Sequence, residues 1–166
     1  FDVILKNKWK SDLLKNYFTL LVICGLIFSV GSFINRISRS GPSTEEIVSL
    51  EYLKEQDDAT VFSSAEYGFF IRKVSGKKTY VDNSYLRSNP RIREMNDVFI
   101  SRDLKKISRF LDENKIGFIW INDKMKNNIW KNNDDGLLFI LHNSKQFKKI
   151  FDYKGVEIWK YVQFNY

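Results

Sequence analysis

Asn16 to Asn35 reads NYFTLLVICGLIFSVGSFIN, an unbroken run without a charged side chain. At about 1.5 Å rise per residue, such a run makes a helix roughly 30 Å long, the hydrocarbon thickness of a bilayer. From Pro42 onward polar and apolar residues are mixed as in a folded α/β domain. Three parts are therefore expected: a basic juxtamembrane segment over 1–15, a transmembrane helix over 16–35 and an extracytoplasmic α/β domain over 42–166.

The net charge is +7, and its placement decides what it means. Residues 1–42 hold Lys6, Lys8, Lys10, Lys15, Arg36 and Arg39 against Asp2 and Asp12, a net +4, which leaves only +3 for the rest of the chain. Cations flanking an apolar helix suit anionic lipid, so membrane lipid is an expected partner and nucleic acid is not. Four lysines precede the run and two arginines follow it. The positive-inside rule then puts the N-terminus in the cytoplasm and the domain outside. The run is longer than the apolar region of a signal peptide, and no small-residue cleavage site follows it, so a retained helix is expected. The chain opens at Phe1 without an initiator Met, which reads as a segment of something longer, or a processed chain. Cys24, the single cysteine, lies inside the apolar run, so no intrachain disulfide is available. His142 has no His or Cys at metal-ligand spacing.

Beyond the Gly41-Pro42 helix break, Ser43 or Thr44 is placed to cap a helix with Glu45 and Glu46 in its first turn, ending near Gln56. Residues 59–63 read as a buried strand, and 65–75 as a helix with Phe69, Phe70 and Val74 inside, closed by Gly76. Thr79 to Val81 reads as a second strand, and 83–94 as a polar loop. Asp103 to Asn114 carries Leu104, Ile107, Phe110 and Leu111 at helical spacing. Ile116 to Ile121, IGFIWI, has the continuous apolar character of a strand covered on both faces. Residues 123–131 read as a helix, and Leu137 to Leu141 fits either helix or strand. FKKIFDYKGVEIWKYV alternates on both sides of Lys154-Gly155, as a terminal β-hairpin does. The alternation of strands and helices predicts a Rossmann-like three-layer α/β sheet with crossover helices, preceded by one transmembrane helix.

Catalytic patterns are scarce. There is no phosphate loop, no G-x-G-x-x-G and no G-x-S-x-G elbow. Asp57-Asp58 and Asp134-Asp135 read as turn or cap residues. Lys77-Lys78 reads as the exposed start of a strand or, alternatively, a phosphate contact. Trp120, Trp130 and Trp159 read as core or edge aromatics, with a sugar-stacking platform as the alternative. Glu66 and Asp82 stand out because each follows the C-terminal end of an expected strand, the edge where open α/β sheets bind ligands, although a first-turn helix Glu and a turn Asp is the plainer reading of the pair.

From residue 59 to 121 the order of features resembles the extracytoplasmic C-terminal domain of membrane glycosyltransferases of the GT-C class, in particular the oligosaccharyltransferase catalytic subunit. That family has a strand, then W-W-D-Y-G opening a helix, then a basic strand ending in Asp-Asn. Here Ser64-Ala65-Glu66-Tyr67-Gly68 stands at the motif, followed by Ile71, Gly76-Lys77-Lys78-Thr79 and Asp82-Asn83. DVFISRDLKKISRFLDENKIGFIWI resembles the helix and strand that come next. Tyr67-Gly68 and Asp82-Asn83 match the pattern, both tryptophans are replaced, and Glu66 stands in place of Asp. The resemblance implies the C-terminal part of a multi-pass enzyme that uses a polyprenyl-phosphate-linked sugar donor. It implies catalytic acids and a divalent metal among earlier membrane helices, so that no catalytic residue, metal ligand or cofactor is expected in this segment. Glu66, Tyr67, Gly68, Asp82 and Asn83 would lie nearest an acceptor whose identity the resemblance leaves open. Two other readings remain: a single-pass anchored domain that binds a protein or glycan without catalysis, and an anchored hydrolase, which needs Glu66 and Asp82 to converge.

Overall fold

The computed structural model describes residues 12–82, 90–132 and 134–162. The expected site residue Asn83 and the basic, partly amphipathic segment with Val3, Leu5 and Trp9 lie outside the described residues. The chain divides into two compact units, Phe1–Gly41 and Pro42–Tyr166.

The first unit is helix α1, Asp12–Ser40. Within it Asn16–Ile34 is long and apolar enough to cross a membrane by length and composition, with a mean hydropathy of 2.2 and no residue buried. Leu20, Ile27, Phe28 and Phe33 all point outward. A helix apolar all round has no core-facing stripe, so its partner must be a surrounding apolar medium or other helices.

In the second unit Ser43 opens α2, Thr44–Lys54, with a capping box: its hydroxyl accepts from the Glu46 amide, and the Glu46 carboxylate accepts from the Ser43 amide. Then come β1, Thr60–Phe62, and α3, Ala65–Ser75, which Gly76 ends in a left-handed turn at φ +71°. Helices α4, Pro90–Phe99, and α5, Leu104–Glu113, precede β2, Ile116–Ile121. After them follow α6, Asp123–Ile129, α7, Gly136–Asn143, β3, Phe147–Tyr153, and β4, Val156–Tyr161.

The four strands form one mixed sheet in the order β1-β2-β4-β3. β1 and β2 are parallel, and the helices α3 to α5 span the crossover between them. β4 is antiparallel to both neighbours. Lys154 and Gly155 link β3 to β4 with φ of +44° and +83°, the left-handed geometry of a tight two-residue connection. Helix α2 packs on α3 and on β3 and β4; α5 packs on β2, α7 on β3, and α4 on α5 and α7.

β2 is the hydrophobic centre, as its unbroken apolar run predicts, with Trp120, Ile119 and Ile121 fully buried. Beside it Phe62 meets Phe99 at 4.7 Å and Phe110 at 5.4 Å between ring centres. Such a buried ring contributes on the order of 3–5 kcal/mol against truncation to alanine.

Four expectations change. Residues 79–81 do not build a ladder strand: Thr79 makes an isolated parallel bridge to Val61, and the Val61 backbone bonds Lys78 and Tyr80. The expected loop over 83–94 gives way to α4 at Pro90, where proline at the first helical position loses no hydrogen bond; Met95, Val98 and Phe99 supply its buried face. Helix α3 buries Tyr67, Gly68, Ile71 and Ser75, leaving Phe69 45% exposed. Lys77 is buried rather than exposed, its ammonium donating to the Gln56 carbonyl at 2.6 Å just past α2, so it is not placed to meet a phosphate. The ambiguous stretch over 137–141 is helical.

Candidate functional site

Because β1 and β2 are parallel, their C-terminal ends open on one edge of the sheet. Each strand turns directly into a helix there: Phe62 through Ser63 and Ser64 into α3, and Ile121 through Asn122 into α6. Between these two helices lies a groove of about 120 Å³ lined by Ser64, Glu66, Tyr67, Lys124, Met125, Asn128 and Ile129. It sits where an open α/β sheet presents a ligand site.

Its α3 wall follows from local sequence. Ser64 precedes the helix in extended geometry and makes no side-chain cap bond, so its hydroxyl is not spent on closing α3. Glu66 is exposed in the first turn, where the helix dipole favours a carboxylate. Tyr67 turns inward and stacks on Trp120 at 5.0 Å between ring centres. Burial pushes the Tyr67 phenol above its ordinary pKa; a hydrogen bond with Asn122 works against this, and the Glu46 and Glu66 carboxylates add to it. The phenol therefore stays protonated at neutral pH.

The α6 wall hangs on Asn122. Its carbonyl oxygen accepts from the Met125 amide at 2.9 Å, capping α6, and its amide donates to Glu46 at 2.6 Å. Below, the Ser63 hydroxyl reaches the Met125 sulfur at 3.6 Å, and the Trp120 indole donates to Ser49 at 2.8 Å. Glu46, Ser49, Ser63 and Asn122 are all buried, and each has a partner, as buried polar groups require.

Asp82 occupies a different place. It pairs with Arg72 at 2.8 Å, and its backbone lies against Gly68. Residues advance about 100° along a helix, which sets Glu66 roughly 160° round α3 from Gly68. Glu66, Tyr67 and Ser64 thus share the groove, Gly68 and Arg72 face Asp82, and the Glu66 and Asp82 carboxylates attach to different sides of the helix. Among the described residues no group of three or more His, Cys, Asp or Glu gathers as metal ligands would. The groove offers a hydroxyl, a carboxylate, an ammonium and a carboxamide beside the apolar side chains of Met125 and Ile129 on its α6 side. That set can hold a small polar side chain.

Asn122, Lys124, Met125 and Asn128 are not singled out by the sequence reading, and Glu46 enters it only as a first-turn helix residue. Two signals for them were present: an Asn between a buried strand and a helix marks a cap at the ligand edge, and Ser43-x-x-Glu46 is a capping-box pattern.

The fold is similar to that of the C-terminal globular domain of the oligosaccharyltransferase from Archaeoglobus fulgidus. One solved structure of that domain superposes with a TM-score of 0.59 at 14% identity, covering 73% of this chain and 99% of the domain. Another gives a TM-score of 0.52 at 19% identity, with 74% and 99% covered. No family model and no curated protein matches the sequence. The likeness defines the fold: a mixed α/β domain of the kind that closes an oligosaccharyltransferase chain.

Proposed function

We propose that this chain is the C-terminal part of a multi-pass GT-C membrane glycosyltransferase related to oligosaccharyltransferase, using a polyprenyl-phosphate-linked sugar. In this reading α1 is a membrane helix, the basic segment before it meets anionic lipid, and the domain over 42–166 lies outside the cytoplasm on a Rossmann-like three-layer scaffold. The catalytic acids and their divalent metal belong to earlier membrane helices. The domain's part is to recognise the acceptor at the β1–α3 edge, with Glu66 and Tyr67 in the groove and Gly68 and Asp82 seating α3 beside it; Asn83 joins them on the motif resemblance alone.

The observation that supports this best is the fold likeness over 99% of the Archaeoglobus fulgidus domain, together with an apolar helix ahead of it. The groove adds a chemical argument, because its polar groups suit an acceptor side chain. The test compares two purified proteins with a lipid-linked sugar and candidate acceptors. The full-length enzyme is expected to transfer the sugar and residues 1–166 alone to bind acceptor without turnover. A chain that binds a protein or glycan but shows no transfer even at full length would replace the enzyme reading with that of an anchored binding domain.

A further inference from the structure

Asn122 sits where three elements meet. Its oxygen accepts from the Met125 amide, its amide nitrogen donates to the Glu46 carboxylate at 2.6 Å, and its side chain acts on the Tyr67 phenol, easing the pKa rise that burial imposes. Glu46 is fixed in turn by the Ser43 amide at 2.9 Å, and its carbonyl accepts from Ser49, which holds the Trp120 indole under the Tyr67 ring. The carboxamide is 2% exposed, so water does not compete for these bonds. Met125 and Tyr67 are opposite walls of the groove. Capping α6 needs only the oxygen of residue 122, and the amide nitrogen serves a separate purpose.

We infer that Asn122 is a positioning residue for the groove: tethered to Glu46, it sets the spacing between the Tyr67 wall on α3 and the Met125 wall on α6. A buried hydrogen bond to a carboxylate is strong and directional, so losing it lets the walls move relative to each other without unfolding the sheet. The consequence for acceptor use rests on the function proposed above; the geometric consequence does not.

The chain has two methionines, which makes the test clean. Met125 is a groove wall, and Met95 lies in the buried face of α4. Methyl-labelled methionine in the full chain therefore gives one signal from the groove and one from a control outside its lining. Asn122→Ser keeps an oxygen that can cap α6 but loses the amide bond to Glu46. It is expected to shift the Met125 methyl while leaving Met95 in place. Glu46→Gln combined with Asn122→Asp exchanges the amide and the carboxylate across the same contact, and is expected to bring the Met125 signal back toward the wild-type position. Asn122→Asp alone sets two carboxylates against each other and is expected to show the largest shift at neutral pH, relieved on acidification. An unmoved Met125 in Asn122→Ser, or equal movement of both methyls, overturns the inference.

In the full-length enzyme, Asn122→Ser is expected to raise the acceptor KM about tenfold with kcat within about twofold, as lost uniform binding does. A shifted Met125 with unchanged transfer would uphold the positioning role and remove the acceptor from this groove.

Discussion

A methyl group on Gly68 would sit 2.4 Å from the Val81 carbonyl oxygen and 2.7 Å from the Asp82 Cα, inside the backbone that α3 packs against. The glycine of the Tyr67-Gly68 pair is therefore the contact point that seats the helix, and Arg72, one turn on, fastens the same segment through Asp82. Gly68→Ala sets two effects against each other. Alanine favours a helix by about 1 kcal/mol. Forcing atoms into packed backbone costs about 1–3 kcal/mol. The neighbour here is main chain and cannot swing away, so packing wins. Chemical denaturation should show a net loss of about 1–2 kcal/mol; a variant more stable than wild type would mean that the segment over 81–82 yields freely.

A second prediction concerns acid. Glu157 on β4 is buried among Lys126 at 2.9 Å, Lys149 at 3.1 Å and the Trp159 indole at 2.9 Å. Burial pushes its pKa up, but the Lys126 and Trp159 hydrogen bonds, the Lys126 charge and the Lys149 hydrogen bond outweigh burial and hold it below the ordinary 4.5. The stabilisation from this depressed carboxyl is complete above the unfolded-state value and fades as pH falls through the folded one. Glu157→Gln should destabilise the domain by about 2 kcal/mol at pH 7, because Lys126 and Lys149 lose a partly buried partner. The gap between the wild-type and variant denaturation curves should be full at pH 7 and close as the pH falls through the folded-state pKa of Glu157; a gap that stays constant on acidification would contradict the assignment.

Much of this fold is readable from residue patterns, and the exceptions have physical causes. The β2 run and the apolar spacing of α5 mark their elements because burial dictates every position in them. Residues 79–81 look like a strand by composition, yet their only described ladder contact is a bridge at Thr79, since the chain leaves toward Asp82 to meet Gly68. Phe69 looks like core, but seating Gly68 and Ile71 turns it outward. Glu66 and Tyr67 are placed by their position after β1. Asn122 and Glu46 are not, because a buried carboxylate and carboxamide that meet across 76 residues leave no local trace beyond their caps.

Lys77 offers a third check, since its sequence allows a ligand role and its place in the fold does not. Its ammonium donates to the Gln56 carbonyl beside α2, with Asp58 at 3.9 Å. Lys77→Met should lower stability by about 1–2 kcal/mol through the lost charged hydrogen bond and leave acceptor binding unchanged. Weaker binding at wild-type stability would restore Lys77 as a ligand contact.

Topology gives a fourth. With lysines ahead of Asn16–Ile34, a reporter active only outside the cytoplasm and fused after Tyr166 should be active, and one active only inside should be silent. The reverse pattern would place the groove on the wrong side for a lipid-linked donor presented outside.

If the β1–α3 groove recognises the acceptor of a lipid-linked sugar transfer, removing the Glu66 charge should show it first. Glu66 is exposed at the groove mouth, so Glu66→Gln removes charge with little effect on packing. In the full-length enzyme, steady-state transfer from a polyprenyl-phosphate-linked sugar should show an acceptor KM raised about tenfold, an unchanged donor KM and an unchanged melting temperature. Wild-type acceptor KM and kcat in this variant would contradict the account.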